Sequence, residues 1–504
     1  MTGWFPKRAF IRRIALLAGC LAVIPLRGSA AGENGPDTLI VDYARVINDT
    51  QRRQIGINTC FLTDDDRNAL RHPKRRYNAA LKKLGVRYLR YPGGWKSDVV
   101  FWSAPPYAKP LPTLIYRGPG VWPSSDTALV GPDGSWKIDP YDFDEFIETC
   151  REVGAEPVVV VCYNSMHWPE REGGRKPDKK QILENAVSWV RYANIIKKYN
   201  VRYWEIGNET YLGDTGQNDR GKWIIPPGVY GADLADIARA MKSVDPSVQI
   251  GANGDSREYW SGIFDKAADV IDFLSVHTYP LYGLSGYREY LDRDPDLFGP
   301  MATAKAAVAA HPGFAGREIK MMMTEFAAGS FDRWDRSGSD IARAVITFDL
   351  QGQLLQSPDC YFSQFWNTIN VYEGDNSVFN ALMRDNSLTA VGRALSIWGN
   401  NLEDEMILTQ GTCLVRCFAT RTEGKTLTVF AVNRDTLERR AAIVIRNMPV
   451  VFRGGEKWVF RGKSQHDPDP SLTRACRLTI FKDTFSVKLD PVSVTMFRFR
   501  EREE

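Results

Sequence analysis

From residue 54 to about residue 400, short β-branched or aliphatic runs alternate with longer segments of helical period, and few folds satisfy that alternation. The runs are 54–62, 86–91, 156–163, 201–206, 248–252, 270–277, 319–324 and 361–366. Eight parallel strands close into a barrel, and helices must cover its outside. The intervening segments supply them: 141–153 is amphipathic, 179–199 sets Ile182, Ala186, Val190, Ala193 and Ile196 along one face, and 340–355 and 387–398 carry apolar residues at helical spacing. The fold class expected is therefore α/β, a (β/α)8 TIM barrel over residues 50–400. After Asn401 the grammar changes to period-two patterns at 413–419, 426–432, 441–445 and 492–499, with a turn at Thr422-Glu423-Gly424. That is the pattern of an antiparallel β-sandwich over residues 401–504. Residues 38–49 also alternate, and they are expected to add a strand to that sandwich.

Residues 1–31 have another character. Lys7, Arg8, Arg12, Arg13 and Arg27 occur there without an acid, around an apolar run from Ile14 to Leu26 that ends in Gly28-Ser29-Ala30-Ala31. This is the pattern of a signal peptide cleaved near Ala30 or Ala31, and it predicts export. The run is too short for the roughly 20 apolar residues that span a bilayer, so no integral membrane span is expected. Leu17-Ala18-Gly19-Cys20 resembles a lipoprotein cleavage box, but the apolar run continues past Cys20, which favours ordinary cleavage. These residues also hold the chain's positive excess. Of the net charge of +4, five positive charges lie in residues 1–31, leaving −1 elsewhere and no basis for nucleic-acid or anionic-membrane partners. Beyond Cys20 there are seven cysteines, an odd number, with no CxxC pair, and the five histidines lack ligand spacing. No metal and no cofactor are expected. The cysteines read as buried thiols, with room for one disulfide such as Cys413 or Cys417 to Cys476.

Chemistry in such a barrel belongs at the C-terminal ends of the strands, where side chains share one pocket. Glu209 follows the fourth run in Tyr203-Trp204-Glu205-Ile206-Gly207-Asn208-Glu209, and Glu325 closes the seventh in Met323-Thr324-Glu325-Phe326. Two carboxylates converging on one pocket push their pKa values apart, leaving one protonated acid and one ionised nucleophile. That is the pair that retaining glycoside hydrolysis needs. Residues 94–140, rich in Pro, Gly, Trp and Tyr, emerge on the same face, and a connection of that length is expected to be functional. Trp95, Trp168, Tyr211 and Trp366 fall at or just beyond strand ends, where apolar rings can stack on sugars. Trp366, beside Gln364 and Asn367, is the best platform among them. The partner expected is a carbohydrate; nothing in the sequence fixes an oligomeric state.

Gly207-Asn208-Glu209 with Thr324-Glu325, together with Leu89-Arg90-Tyr91-Pro92-Gly93-Gly94 and Ser275-Val276-His277-Thr278-Tyr279, resembles clan A of the retaining glycoside hydrolases. Within the clan the chain is most similar to the α-L-arabinofuranosidase family, which also carries a C-terminal β-sandwich. The resemblance implies that Glu209 is the acid/base, Glu325 the nucleophile and Asn208 a partner for the sugar's 2-hydroxyl. It further implies that Tyr279 donates to the nucleophile, that His277 belongs to the substrate site, and that Arg90 orients polar groups at the pocket floor, the other reading of Arg90 being an internal ion pair. Two departures bear on the substrate. Phe326 stands where the family usually has Trp, and Thr210-Tyr211-Leu212-Gly213 replaces a Met-Asp-Gly-like sequence. Clan relatives acting on xylosides, uronides or β-glucans share the same carboxylates, and a transglycosidase shares the covalent intermediate. A silent carbohydrate-binding barrel would be expected to lack one carboxylate.

Overall fold

The computed structural model describes residues 36–501 apart from 53, 63, 65–72, 118–121, 171–175, 214–219, 330–337, 370–373, 450–451, 453 and 479–482. The expected signal segment, with Cys20, lies outside the described residues.

Eight parallel strands close a barrel: Ile55–Asn58, Tyr88–Tyr91, Glu156–Val161, Tyr203–Ile206, Gln249–Asn253, Phe273–Thr278, Lys320–Phe326 and Cys360–Phe365, each beside its sequence neighbour and the eighth beside the first. Each falls within or overlaps one of the eight apolar runs, because burial on both faces requires a run without polar alternation. Local signals set the helix ends. Phe143–Val153 starts on an Asp142/Glu145 capping box and stops at Gly154, whose φ of 75° is left-handed.

One helix departs from the expectation. Lys179–Val190 is α-helical, but Arg191–Ile196 continues as a π turn. The wider turn rotates the following side chains, so Ala193 is buried while Ile196 is 64% exposed instead of lying on the apolar face.

Inside the barrel, Tyr88, Val158, Tyr203, Phe273, Met322 and Phe362 pack into a lower apolar plug. Side chains two residues further along a strand point the same way, so Arg90, Glu205, Ser275 and Thr324 form the next layer, and all four are buried. The period that fills the barrel thus also places a charged floor beneath its mouth.

The second domain is one sheet of nine strands in the order Ser471–Leu478, Gly455–Arg461, Ser493–Arg500, Thr426–Asn433, Val415–Thr422, Glu405–Gln410, Asp37–Asp49, Arg439–Arg446 and Thr484–Leu489. It curls until Phe485 at one end meets Phe497 near the other, with ring centroids 5.1 Å apart. The two layers of the sandwich are therefore continuous and enclose Leu39, Val41, Val429, Ile443 and Phe497. Asp37–Asp49 runs antiparallel to Glu405–Gln410 but parallel to Arg439–Arg446, so the sheet is not wholly antiparallel. A strand from the other end of the chain thus lies between Glu405–Gln410 and Arg439–Arg446.

The barrel packs on this sheet through Phe348, which stacks on Trp398 at 4.6 Å and reaches Phe430 at 5.4 Å. The seven described cysteines are free. The strand holding Cys476 lies four positions along the sheet from the strand holding Cys417. The bridge for which the sequence leaves room, from Cys413 or Cys417 to Cys476, is not formed. No helix among the described residues is long and apolar enough to cross a membrane.

Candidate active site

The mouth of the barrel is built upward from Arg90. Its guanidinium is fully buried, and its Nε donates to Glu205 Oε2 at 2.9 Å. Nη1 donates to Asn58 Oδ1 at 2.9 Å and to Glu325 Oε1 at 2.8 Å, and Nη2 to Asn208 Oδ1 at 2.8 Å. Strands one, two, four and seven are thereby fixed around one planar cation, whose rigid fork of donors suits several acceptors at once. Burial alone would lower the Arg90 pKa, but Glu205 and Glu325 outweigh it and raise it. Both readings of Arg90 from the sequence describe one arrangement, since the ion pair itself orients the floor. Arg90 thereby fixes which way the Asn208 amide faces.

Glu325 is 5% exposed in its side chain and accepts a second hydrogen bond, from Tyr279 Oη to Oε2 at 2.8 Å. Burial, then the adjacent Glu325 and Glu209, push the Tyr279 hydroxyl well above its ordinary pKa, so it stays a donor. Glu209 lies opposite on a strained loop, with φ of 69° at Gly207 and 48° at Glu209 itself. Gly207 also has to be glycine for space, because a Cβ there would approach Asn164 Oδ1 to 2.8 Å. His277 sits between the two carboxylates, its Nδ1 2.9 Å from Glu209 Oε1 and 3.6 Å from Glu325 Oε2. Burial lowers its pKa, yet the charge of Glu325 and the bond to Glu209 prevail and raise it.

Ligand atoms of Glu209, His277 and Glu325 all lie within 4.8 Å of one another. Retaining hydrolysis requires carboxyl groups about 5–5.5 Å apart, and inversion about 6.5–9.5 Å to admit a water between them. The same trio has a spacing that could hold a cation. Arg90 opposes that, since its charge already occupies one oxygen of Glu325.

The aromatic candidates divide. Trp366 donates its backbone N–H to Phe326 O at 2.9 Å, directly beyond Glu325, and lies against Gly94, where a Cβ would come within 2.3 Å of the indole. Trp95 meets Trp122 edge-on at 5.6 Å. Tyr211 is buried edge-on to Tyr259 at 6.1 Å, with Glu209 and Glu325 close enough to help burial raise its pKa. Trp168, only 1% exposed, packs against Tyr116 as core.

Several residues of the site escaped the sequence reading. Glu205 accepts from Ser275 as well as Arg90, and Asn58 donates to Thr324 O at 2.8 Å. Asp98, from the 3-10 turn Gly94–Val99, accepts the backbone N–H groups of Tyr163 at 2.9 Å and Asn164 at 2.8 Å. Asn164 in turn donates to Asn208 O, which makes Asp98 a brace behind the Glu209 loop.

Burial pushes the Asp98 carboxyl up to about 7, against the backbone N–H groups of Tyr163, Asn164 and Asn208, and the charge of Glu205 adds to the rise. From its ordinary value of 3.8 up to about 7 the folded chain holds a proton that the unfolded chain has released. The resulting stabilisation is full below the lower value and is lost as pH rises through the upper one. The stability of the wild type relative to Asp98→Asn should therefore fall between about pH 4 and about pH 8, as measured by urea unfolding. A difference that stays flat with pH would contradict this account of Asp98.

Residues 80–290 match the family model described as "Alpha-L-arabinofuranosidase 1 domain", a span that includes Arg90, Glu209, His277 and Tyr279 and ends before Glu325. An "Intracellular exo-alpha-(1->5)-L-arabinofuranosidase" of Acetivibrio thermocellus is 26% identical over 239 residues, covering 43% of this chain and 41% of that protein. "Alpha-L-arabinofuranosidase C" of Emericella nidulans is 26% identical over 262 residues, covering 45% and 42%. The chain thus spans about two-fifths of the length of the curated relatives it matches. In fold the likeness is broader. The α-L-arabinofuranosidase of Thermotoga maritima, solved with arabinose, superposes with a TM-score of 0.67 at 20% identity, over 92% of this chain and all of that one.

Proposed function

With residues 80–290 matching an α-L-arabinofuranosidase 1 domain, we propose that the chain is a retaining glycoside hydrolase of α-L-arabinofuranosidase type. The observation that carries the proposal is that ligand atoms of Glu209, just after strand four, and Glu325, on strand seven, lie within 4.8 Å of each other.

In the first step a carboxylate oxygen of Glu325 attacks the anomeric carbon, the bond to the leaving oxygen breaks, and Glu209 gives that oxygen its proton. The sugar is then an ester of Glu325. In the second step Glu209 takes a proton from water, the hydroxide oxygen bonds to the anomeric carbon, and Glu325 departs as carboxylate. Arg90 and Tyr279 stabilise that carboxylate before the attack and after its release. His277, its pKa raised against burial by the charge of Glu325 and then by its bond to Glu209, holds the Glu209 carboxyl group in place through Nδ1.

The test is a panel of aryl glycosides, with arabinofuranoside, xyloside, glucuronide and glucoside members. Preference for the arabinofuranoside supports the reading, and activity on none of them overturns it. Because every step uses only these side chains and water, activity should survive exhaustive chelation, assayed on the same panel. A loss that a divalent ion restores would refute that. We also propose that the protein is exported, supported by the pattern of residues 1–31, and N-terminal sequencing of the secreted protein should find Ala31 or Gly32 first.

A further inference from the structure

Five Lys and Arg side chains are buried in the described residues: Arg90, Lys96, Arg343, Arg421 and Arg434. Arg90, Arg421 and Arg434 face carboxylates, and Arg343 donates to Ala328 O. Lys96 differs. It is 4% exposed, and among the described residues no ion pair or hydrogen bond of its Nζ is found. Its neighbours are two indoles, with Nζ 5.6 Å from the ring centre of Trp122 and 5.5 Å from that of Trp366. An ammonium drawn out of bulk water loses solvation that two cation–π contacts offset only in part. Among the described residues no anion stands against it.

Its place follows from the fold. Lys96 sits on the turn Gly94–Val99 directly after strand two, and Gly94 lies against Trp366. Trp366 follows strand eight and is hydrogen-bonded to Phe326, the residue after Glu325. The ammonium thus lies beside an indole whose backbone is tied to the residue after Glu325, at the mouth where a glycoside would enter. A sugar carries a fixed negative charge beside an apolar ring face when it is a uronic acid, and Trp366 offers the matching flat surface.

We propose that Lys96 is a specificity residue for acidic glycosides, its ammonium pairing with the carboxylate of a uronic acid unit held against Trp366. The inference rests on the glycosidase reading above and adds the class of substrate to it.

The test uses the whole chain and needs no turnover. Tryptophan fluorescence titration compares D-glucuronate with D-glucose, and D-galacturonate with D-galactose. At low salt at least one acid should bind about tenfold more tightly than its neutral partner, and the margin should shrink as salt is raised. In Lys96→Met the margin should vanish, and in Lys96→Arg most of it should return, because the charge is restored. Equal affinity for acid and neutral sugar in the wild type, in both pairs, overturns the proposal whatever becomes of the variants. So does a margin that persists in Lys96→Met. If the wild type shows no such margin yet hydrolyses an aryl arabinofuranoside, the Lys96 inference falls alone. If it binds none of the four sugars and hydrolyses no aryl glycoside, both readings fall.

Discussion

Replacing Glu325 with alanine is expected to abolish turnover of every glycoside the protein accepts, by at least about 10⁴-fold, because the variant lacks the carboxylate that forms the ester. Azide supplied to this variant should restore turnover by entering the vacated side, and the glycosyl azide formed should have inverted configuration. Glu209→Ala should fail differently. Its loss should reach about 10²–10⁴-fold on sugar leaving groups, which need a proton, and be small for the first step on activated phenols, which do not. Azide should then attack the ester from the opposite side to Glu325 and give a product of net retained configuration. Product analysis of the two variants on one activated and one unactivated glycoside checks all of this. Near-normal activity of both variants on the unactivated glycoside would show that the catalytic pair lies elsewhere.

The second large effect is expected at Arg90. It neutralises Glu205, which is wholly buried, and Glu325, which nearly is. Removing one member of a buried ionic cluster leaves uncompensated charge and costs about 3–5 kcal/mol. Arg90→Met should lose stability on that scale in urea unfolding, and it should lose kcat as well, since Glu325 no longer has its strongest partner. Adding Glu205→Gln should recover much of the stability, because the orphaned charge is removed, while kcat stays low. A stable Arg90→Met variant, or recovery of kcat in the double variant, would mean that the cluster is not organised around Arg90.

The barrel was legible in the sequence because doubly buried strands leave unbroken apolar runs, and Glu209 and Glu325 were legible because they stand at the ends of two such runs. Glu205 was equally accessible and was passed over. It stands two residues after Tyr203, and period two turns both into the barrel, Tyr203 into the lower plug and Glu205 into the layer of Arg90. An acid in the middle of a strand reads as an interruption until its layer is identified.

Lys96 and Asp98 had no such signal. They lie on a short 3-10 turn, where no period says which side chains point inward, and only the packing of Gly94 against Trp366 decides it. The exposure of Ile196 follows from a π turn, a hydrogen-bonding choice that apolar spacing does not encode. The curling of the sandwich from one sheet was likewise hidden, because alternation reports a buried face and not which strand lies beside which.

The stereochemical course of hydrolysis tests the central claim most directly. Proton NMR of an aryl glycoside turned over by the wild type identifies the anomer of the sugar released first, before mutarotation scrambles it. Two displacements through an ester of Glu325 predict the anomer that retains the configuration of the substrate. First appearance of the opposite anomer would mean that water attacks the glycoside directly, and Glu325 would then be a base and not the nucleophile.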